Sequence, residues 1–224
     1  WVGDVKYKDI SGPDGVPDGV IDDYDKTNIG SPMPKFTFGW TNTFRYKNFD
    51  LSVFINGSYG NKVYNYLSMK LTHMNSPWTN QLNAVNGRAQ LVPINPNKVY
   101  EDGTMWYNDV SNVMVANPGA SIPRATINDP NDNDRISDRY IEDGSYIRLK
   151  NISLGYTFPK KTIDKLGLSN LRIYANIQNL LTITGYDGYD PEIGASTSSV
   201  NVYGLDNGRY PSPTVYSFGL NVSF

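Results

Sequence analysis

Cysteine is absent from the 224 residues, which excludes a disulfide scaffold and thiol chemistry and is permissive for a periplasmic or outer-membrane setting. Histidine occurs once, at His73, so no His-based metal site or catalytic dyad is expected, only a surface or packing role. Long apolar runs are also missing: none approaches the roughly 18 residues that a membrane helix needs. Neither sign of charge is in excess. A formal net charge of −2 and a pI near 5.4 leave no basic surplus for nucleic acid and no acidic tail. No initiator Met or signal peptide precedes Trp1, and the chain is expected to be a piece of something longer. The mean hydropathy of −0.47 suggests a soluble protein, but membrane barrels escape that test because half of their strand residues are polar.

What is plentiful is tyrosine (17) and glycine (20), which suits strands, turns and an aromatic belt. The last stretch, Thr214 to Phe224, alternates with the period of a strand. Tyr216, Phe218, Leu220, Val222 and Phe224 share one face; Val215, Ser217, Gly219, Asn221 and Ser223 share the other. One face is greasy up to a terminal Phe, where soluble chains are usually polar and frayed. Such a strand suits either a transmembrane barrel wall ending in an aromatic girdle or a half-buried edge of a soluble sandwich.

Residues 35–60 sharpen the choice. Phe36, Phe38, Trp40, Phe44 and Tyr46 are aromatic at even positions, with Asn42 the only break. Phe49, Leu51, Val53, Ile55 and Tyr59 are apolar at odd positions. A two-residue turn at Lys47-Asn48 pairs Tyr46 with Phe49, Phe44 with Leu51 and Trp40 with Ile55, so all of these apolar residues land on one side. Each strand is near the roughly 9–11 residues that cross a bilayer at a tilt.

Other segments are read more coarsely. The chain opens with a short strand-like start, and its Asp/Gly/Pro loop places Asp14, Asp18, Asp22 and Asp25 at positions where a calcium loop carries oxygen ligands. Val16 stands where a further ligand belongs, and a metal-free surface turn is the alternative. Residues 61–144 are a long excursion with a short helix expected from Asn65 to Met74. The acidic run Asp129–Asp138 within it reads as a solvated loop, or less readily a metal site, because Asp134 sits where a calcium loop wants glycine. Ordered loops of this length are uncommon without a function. Trp78, Trp106 and Tyr107 are therefore candidate contacts for substrate or for a protein lid.

Residues 145–158 form a strand whose alternation slips, which predicts a bulge near Lys150-Asn151. A compact, partly helical stretch at 159–169 follows, then a strand from Asn170 to Ile183, then a second long loop at 184–213. Connections are short at 47–48 and 159–169 and long at 9–34, 61–144 and 184–213. Short turns on one side and long loops on the other form the outer-membrane pattern. About five strands are visible, fewer than the roughly 8 that close the smallest membrane barrel, so the rest of the wall is expected upstream.

Several stretches resemble the C-terminal portion of the SusC/RagA family of TonB-dependent outer-membrane transporters. They are GDVKYKDI…DGVIDDYD (Gly3 to Asp25), FTFGWTNTFRYKNFDLSVFINGSYGNKVYN (Phe36 to Asn65) and SDRYIEDGSYIRLKNISLGYTFP (Ser137 to Pro159), followed by LRIYANIQNLLTITGYDGYDPE (Leu171 to Glu192) and YPSPTVYSFGLNVSF (Tyr210 to Phe224). They span nearly the whole chain in the family's order, with 66–136 and 193–209 as the variable parts. The one departure is the Asp loop, where the family has a tighter D-x-N-x-D-G-x-I pattern and this chain carries a Pro-containing insertion.

The resemblance implies an all-β fold in which residues 1–224 supply the last strands of a large antiparallel transmembrane barrel with long extracellular loops. The plug and the N-terminal strands lie outside this chain. It also implies bacterial outer-membrane localisation, coupling to TonB, a SusD-like surface lipoprotein as partner, import of glycan oligomers or peptides, and no enzymatic activity. Phe36, Phe38, Trp40, Leu51, Val53, Ile55, Phe218, Leu220 and Phe224 are expected to face lipid. The alternative is a secreted soluble β-sandwich module that binds carbohydrate and calcium. A glycosidase would need two carboxylates on a concave site, for which Asp187, Asp190 and Glu192 are the candidates.

Overall fold

The structure is a computed structural model that describes residues 1–192 and 202–224. In chain order the elements are β1 (Phe36–Tyr46), β2 (Phe49–Tyr59), β3 (Lys62–Asn65), α1 (Tyr66–Thr72), β4 (Leu91–Pro93) and β5 (Val113–Val115). Then come β6 (Ile141–Asp143), β7 (Tyr146–Thr157), α2 (Lys160–Ile163), β8 (Asn170–Thr184), β9 (Leu205–Asp206) and β10 (Val215–Ser223). Residues 1–34 hold no strand, only one turn of 3-10 helix at Asp23–Asp25, so the strand-like start expected there does not form. Glycines at positive φ (Gly3, Gly15, Gly19, Gly30) punctuate the segment, and its backbone bonds to side chains instead of a ladder. Residues 193–201, within the second variable stretch, lie outside the described residues.

The chain divides into two compact units. One comprises Gly30–Asn65 and Ile141–Phe224 and carries a five-stranded antiparallel sheet in the order β1-β2-β7-β8-β10. The hairpin register follows from its two-residue turn: Tyr46 faces Phe49, Phe44 faces Leu51 and Trp40 faces Ile55. Lys47 opens the turn at φ 52°, the left-handed geometry that matches strand twist in short hairpins. The slip in β7 is a bulge. Phe54 pairs with Asn151 and Ile55 with Leu149, so Lys150 has no partner on β2. On the other side Leu149 pairs with Leu181 and Asn151 with Gln178, leaving Asn179 (φ 52°) and Leu180 opposite the bulge. The bulge brings Ile147 and Leu149 onto the same face as Ile152, Leu154 and Tyr156.

As a result one face is apolar across all five strands. Phe36, Phe38, Trp40 and Phe44 continue into Leu51, Val53 and Ile55, then Ile152 and Leu154, then Ile173 and Ile177, then Phe218 and Leu220. This face is not a core. Trp40 is 55 % exposed and Phe218 83 %, and Phe36, Phe38, Phe44, Leu154, Ile173 and Leu220 are exposed with them; Leu51, Val53 and Ile55 are half-buried. The buried apolar side chains described in this unit, Val63, Ile163 and Tyr186, lie elsewhere, Val63 in a small sheet ordered β6-β3-β9. The second unit comprises Trp1–Ile29 and Tyr66–Tyr140 and holds α1 and the short β4–β5 ladder around Met69, Ala89, Val113, Ile122 and Tyr140.

Candidate functional site: the polar face and its loop clamp

The opposite face of the five-stranded sheet is polar, and two ion-pair clusters organise it. At one end of the strands Asp50 of β2 and Arg172 of β8 reach across β7. Arg172 Nε donates to Asp50 Oδ1 at 3.0 Å and Nη2 to Oδ2 at 2.6 Å, a two-pronged contact. The strand crossed presents Gly155. A Cβ there would fall within 2.6 Å of both the guanidinium carbon and Asp50 Oδ1, so only glycine leaves room for the bridge. The Tyr174 ring lies in the same way over Gly219 of β10.

At the other end Arg148 of β7 is buried, 2 % exposed, and spends its guanidinium on three acceptors. Nε donates to Thr182 Oγ1 at 2.8 Å, Nη1 to Glu192 Oε2 at 2.7 Å, and Nη2 to Asp190 Oδ1. Lys150, the bulge residue, adds a second cation to Glu192 Oε2 at 2.9 Å. Asp190 also accepts the backbone N–H groups of Ser212 and Glu192, each at 2.9 Å. Burial pushes the Asp190 carboxyl upward, but the Ser212 N–H, Arg148 and the Glu192 N–H outweigh it and hold the group below the usual aspartate range. The loop after β8 is thereby folded back onto the sheet and held by its own Asp-Pro-Glu turn.

Two neighbouring contacts brace the clamp. Tyr186 OH donates to the buried Asp206 at 2.5 Å, and Asp206 Oδ1 accepts the Gly208 N–H. Burial, with the Asp206 carboxylate beside it, raises the Tyr186 phenol well above its ordinary value. Asp187 N–H donates to Glu142 at 2.9 Å, tying the loop to β6. Of the three carboxylates considered for glycoside hydrolysis, Asp190 and Glu192 are thus partners of Arg148, and Asp187 contributes its backbone.

The other sequence candidates fall as follows. Trp106 and Tyr107 meet edge to face with ring centroids 5.6 Å apart, and Trp78 is 93 % exposed. Asp25 accepts the backbone N–H groups of Ile10, Ser11 and Asp22; Asp22 caps the 3-10 turn through Tyr24 N–H, and Asp18 accepts from Val20 N–H. Asp14 is exposed. No three of these four aspartates bring carboxylate oxygens within 4.8 Å of one another; among the described residues the grouping that does is His73, Asp129 and Asp134. Sequence reading passed over Arg148 as a clamp, although a lone arginine between Ile147 and Leu149, followed by Lys150, was a visible sign that one face is polar.

The similarities of the chain agree with this geometry. No protein-family model matches it. It is 36 % identical over 211 residues to TonB-dependent receptor P3 of Formosa agariphila, covering 92 % of this chain and 18 % of that protein. It is 33 % identical to TonB-dependent receptor P26 of the same organism, over all of this chain and 20 % of that protein. TonB-dependent receptor SusC of Bacteroides thetaiotaomicron is 29 % identical over 92 % of this chain. Among solved structures, the RagAB peptide importer in its closed-closed state superposes with a TM-score of 0.65 at 21 % identity, over 95 % of this chain and 20 % of that one. The chain therefore spans about a fifth of the length of the proteins it matches.

Proposed function

Because the chain belongs to the SusC/RagA family of TonB-dependent receptors, we propose that it forms barrel wall and outer loops of a transporter importing glycan oligomers or peptides across a bacterial outer membrane. The observation that carries this is the two-sided sheet: an exposed apolar face over five strands, backed by a polar face with charged bridges. In water such a face would be a liability; against acyl chains it is the stable arrangement, with the polar side turned to an enclosed lumen. A soluble sandwich would need a second layer over Trp40 and Phe218, and both are exposed.

In this reading a SusD-like lipoprotein caps the mouth, TonB supplies energy through the part of the protein outside this chain, and Trp78, Trp106 and Tyr107 belong to the outer contact surface. Calcium at the Asp14–Asp25 loop is part of the same proposal, motivated by the spacing of its aspartates, whose carboxylates would have to draw together around the ion. Protease cleavage there that is unchanged by EDTA would count against it.

These 224 residues hold no cysteine, so the main test is direct once any cysteines in the rest of the full-length protein are replaced. Single cysteines at Phe218, Leu220, Ser217 and Asn221 of the full-length protein, spin-labelled in liposomes, are expected to alternate. Labels at 218 and 220 would favour lipid-soluble oxygen, and those at 217 and 221 a water-soluble relaxant. Equal access to the aqueous relaxant at all four positions would refute the assignment of faces.

A further inference from the structure

His73 and the acidic run Asp129–Asp138 lie far apart in sequence and meet in the unit built on α1. The His73 backbone N–H closes the last turn of α1 on Met69 O at 3.0 Å, and its ring is buried, 8 % exposed. His73 Nε2 lies 2.8 Å from Asp129 Oδ2, and Nδ1 lies 3.3 Å from Asp134 Oδ2. Asp129 is fully committed as an acceptor. Its Oδ2 takes the Asn133 N–H and its Oδ1 the Asn133 side-chain amide, both at 2.6 Å, and Asn133 is itself among the most deeply buried side chains. An acceptor-only carboxylate requires a proton on Nε2, and Nδ1 then faces a second carboxylate, that of Asp134. Between Nδ1 and that carboxylate must lie a positive centre, either a second ring proton or a metal ion.

We propose that His73 Nδ1 and the Asp134 carboxylate bind a divalent transition-metal ion of the zinc class, with Asp129 as the carboxylate that orients the ring. The separation fits. Two ligands at about 2.0–2.1 Å from a tetrahedral ion lie roughly 3.3–3.4 Å apart, against 3.3 Å here. The arrangement of support fits too, since a metal-bound imidazole commonly donates its other N–H to a carboxylate. Asp134 is the open side of the site, its side chain 33 % exposed, so an ion can enter there and keep solvent on its remaining positions. The site does not depend on the transport reading, because it rests on one unit's internal geometry.

The test uses the full-length protein in detergent, with Zn2+ alone as ligand and Co2+ as a coloured substitute. Wild type is expected to bind one more Zn2+ than His73→Gln, which can keep the bond to Asp129. Asp129→Asn is expected to bind that ion about 10- to 100-fold more weakly, as changes to the carboxylate behind a metal-ligating histidine do, and Asp134→Asn, which removes a direct ligand, at least as weakly. The Co2+ form should show a visible ligand-field band that disappears in His73→Gln. Should His73→Gln misfold, as judged by lost heat-modifiability on gels, the partly exposed Asp134→Asn carries the same comparison. Equal zinc stoichiometry and affinity in wild type and both folded variants would overturn the site. So would a titration showing a proton, with no retained metal, between Nδ1 and Asp134.

Discussion

Replacing Arg148 by alanine should free the loop at 185–192 without unfolding the sheet. The guanidinium is buried and holds two carboxylates, of which Asp190 is itself nearly enclosed, its side chain 10 % exposed. Removing one partner of a buried ion pair leaves the other charge without compensation, a loss of about 3–5 kcal/mol. Concentrated on one loop, even the lower figure raises its open population by about 100-fold. Hydrogen exchange of the 185–192 amides in the full-length protein should speed by that factor, while β7 and β8 amides keep their protection. Lys150→Ala is the matched control. Lys150 and Glu192 are both partly exposed, and such a pair is worth about 0–1 kcal/mol. Unchanged exchange in Arg148→Ala, or equal effects of Arg148→Ala and Lys150→Ala, would refute the clamp.

Three more outcomes follow from the same geometry. In the proposed barrel, Phe218→Arg on the apolar face should cost about 2–4 kcal/mol of stability if near the bilayer midplane, and Ser217→Arg on the polar face much less; urea unfolding in liposomes compares them. Gly155→Val should push Arg172 off Asp50 and cost about 1–3 kcal/mol, read as a lower heat-modifiability temperature, with Gly155→Ala milder. The third is a pH dependence. Because the folded Asp190 carboxyl sits below its ordinary value of 3.8, its contribution is complete above that value and is lost as pH falls through the lower folded one. Loop exchange, corrected for intrinsic rate, should therefore stay flat from about pH 7 to pH 4 and rise only below, and loosening between about pH 7 and pH 5 would contradict it.

The sheet was legible in advance because strand alternation is a local property. Turn length at Lys47-Asn48 and parity in the two flanking runs settle the hairpin register with no knowledge of the remaining chain. The slipped parity in 145–158 located the bulge at Lys150 for the same reason. The helical turns at Tyr66–Thr72 and Lys160–Ile163 were likewise visible locally.

What the sequence alone determined, then, is which residues share a face and which strands are hairpin neighbours. Tertiary structure decided everything that depends on segments far apart in the chain. It set Asp50 and Arg172 over Gly155, returned Asp190 and Glu192 to Arg148, and placed the single histidine between Asp129 and Asp134. The physical reason is range: side-chain alternation acts between neighbours one or two residues apart. A charge pair instead forms wherever the folded backbone brings its members within about 4 Å, a distance that no spacing in the sequence encodes.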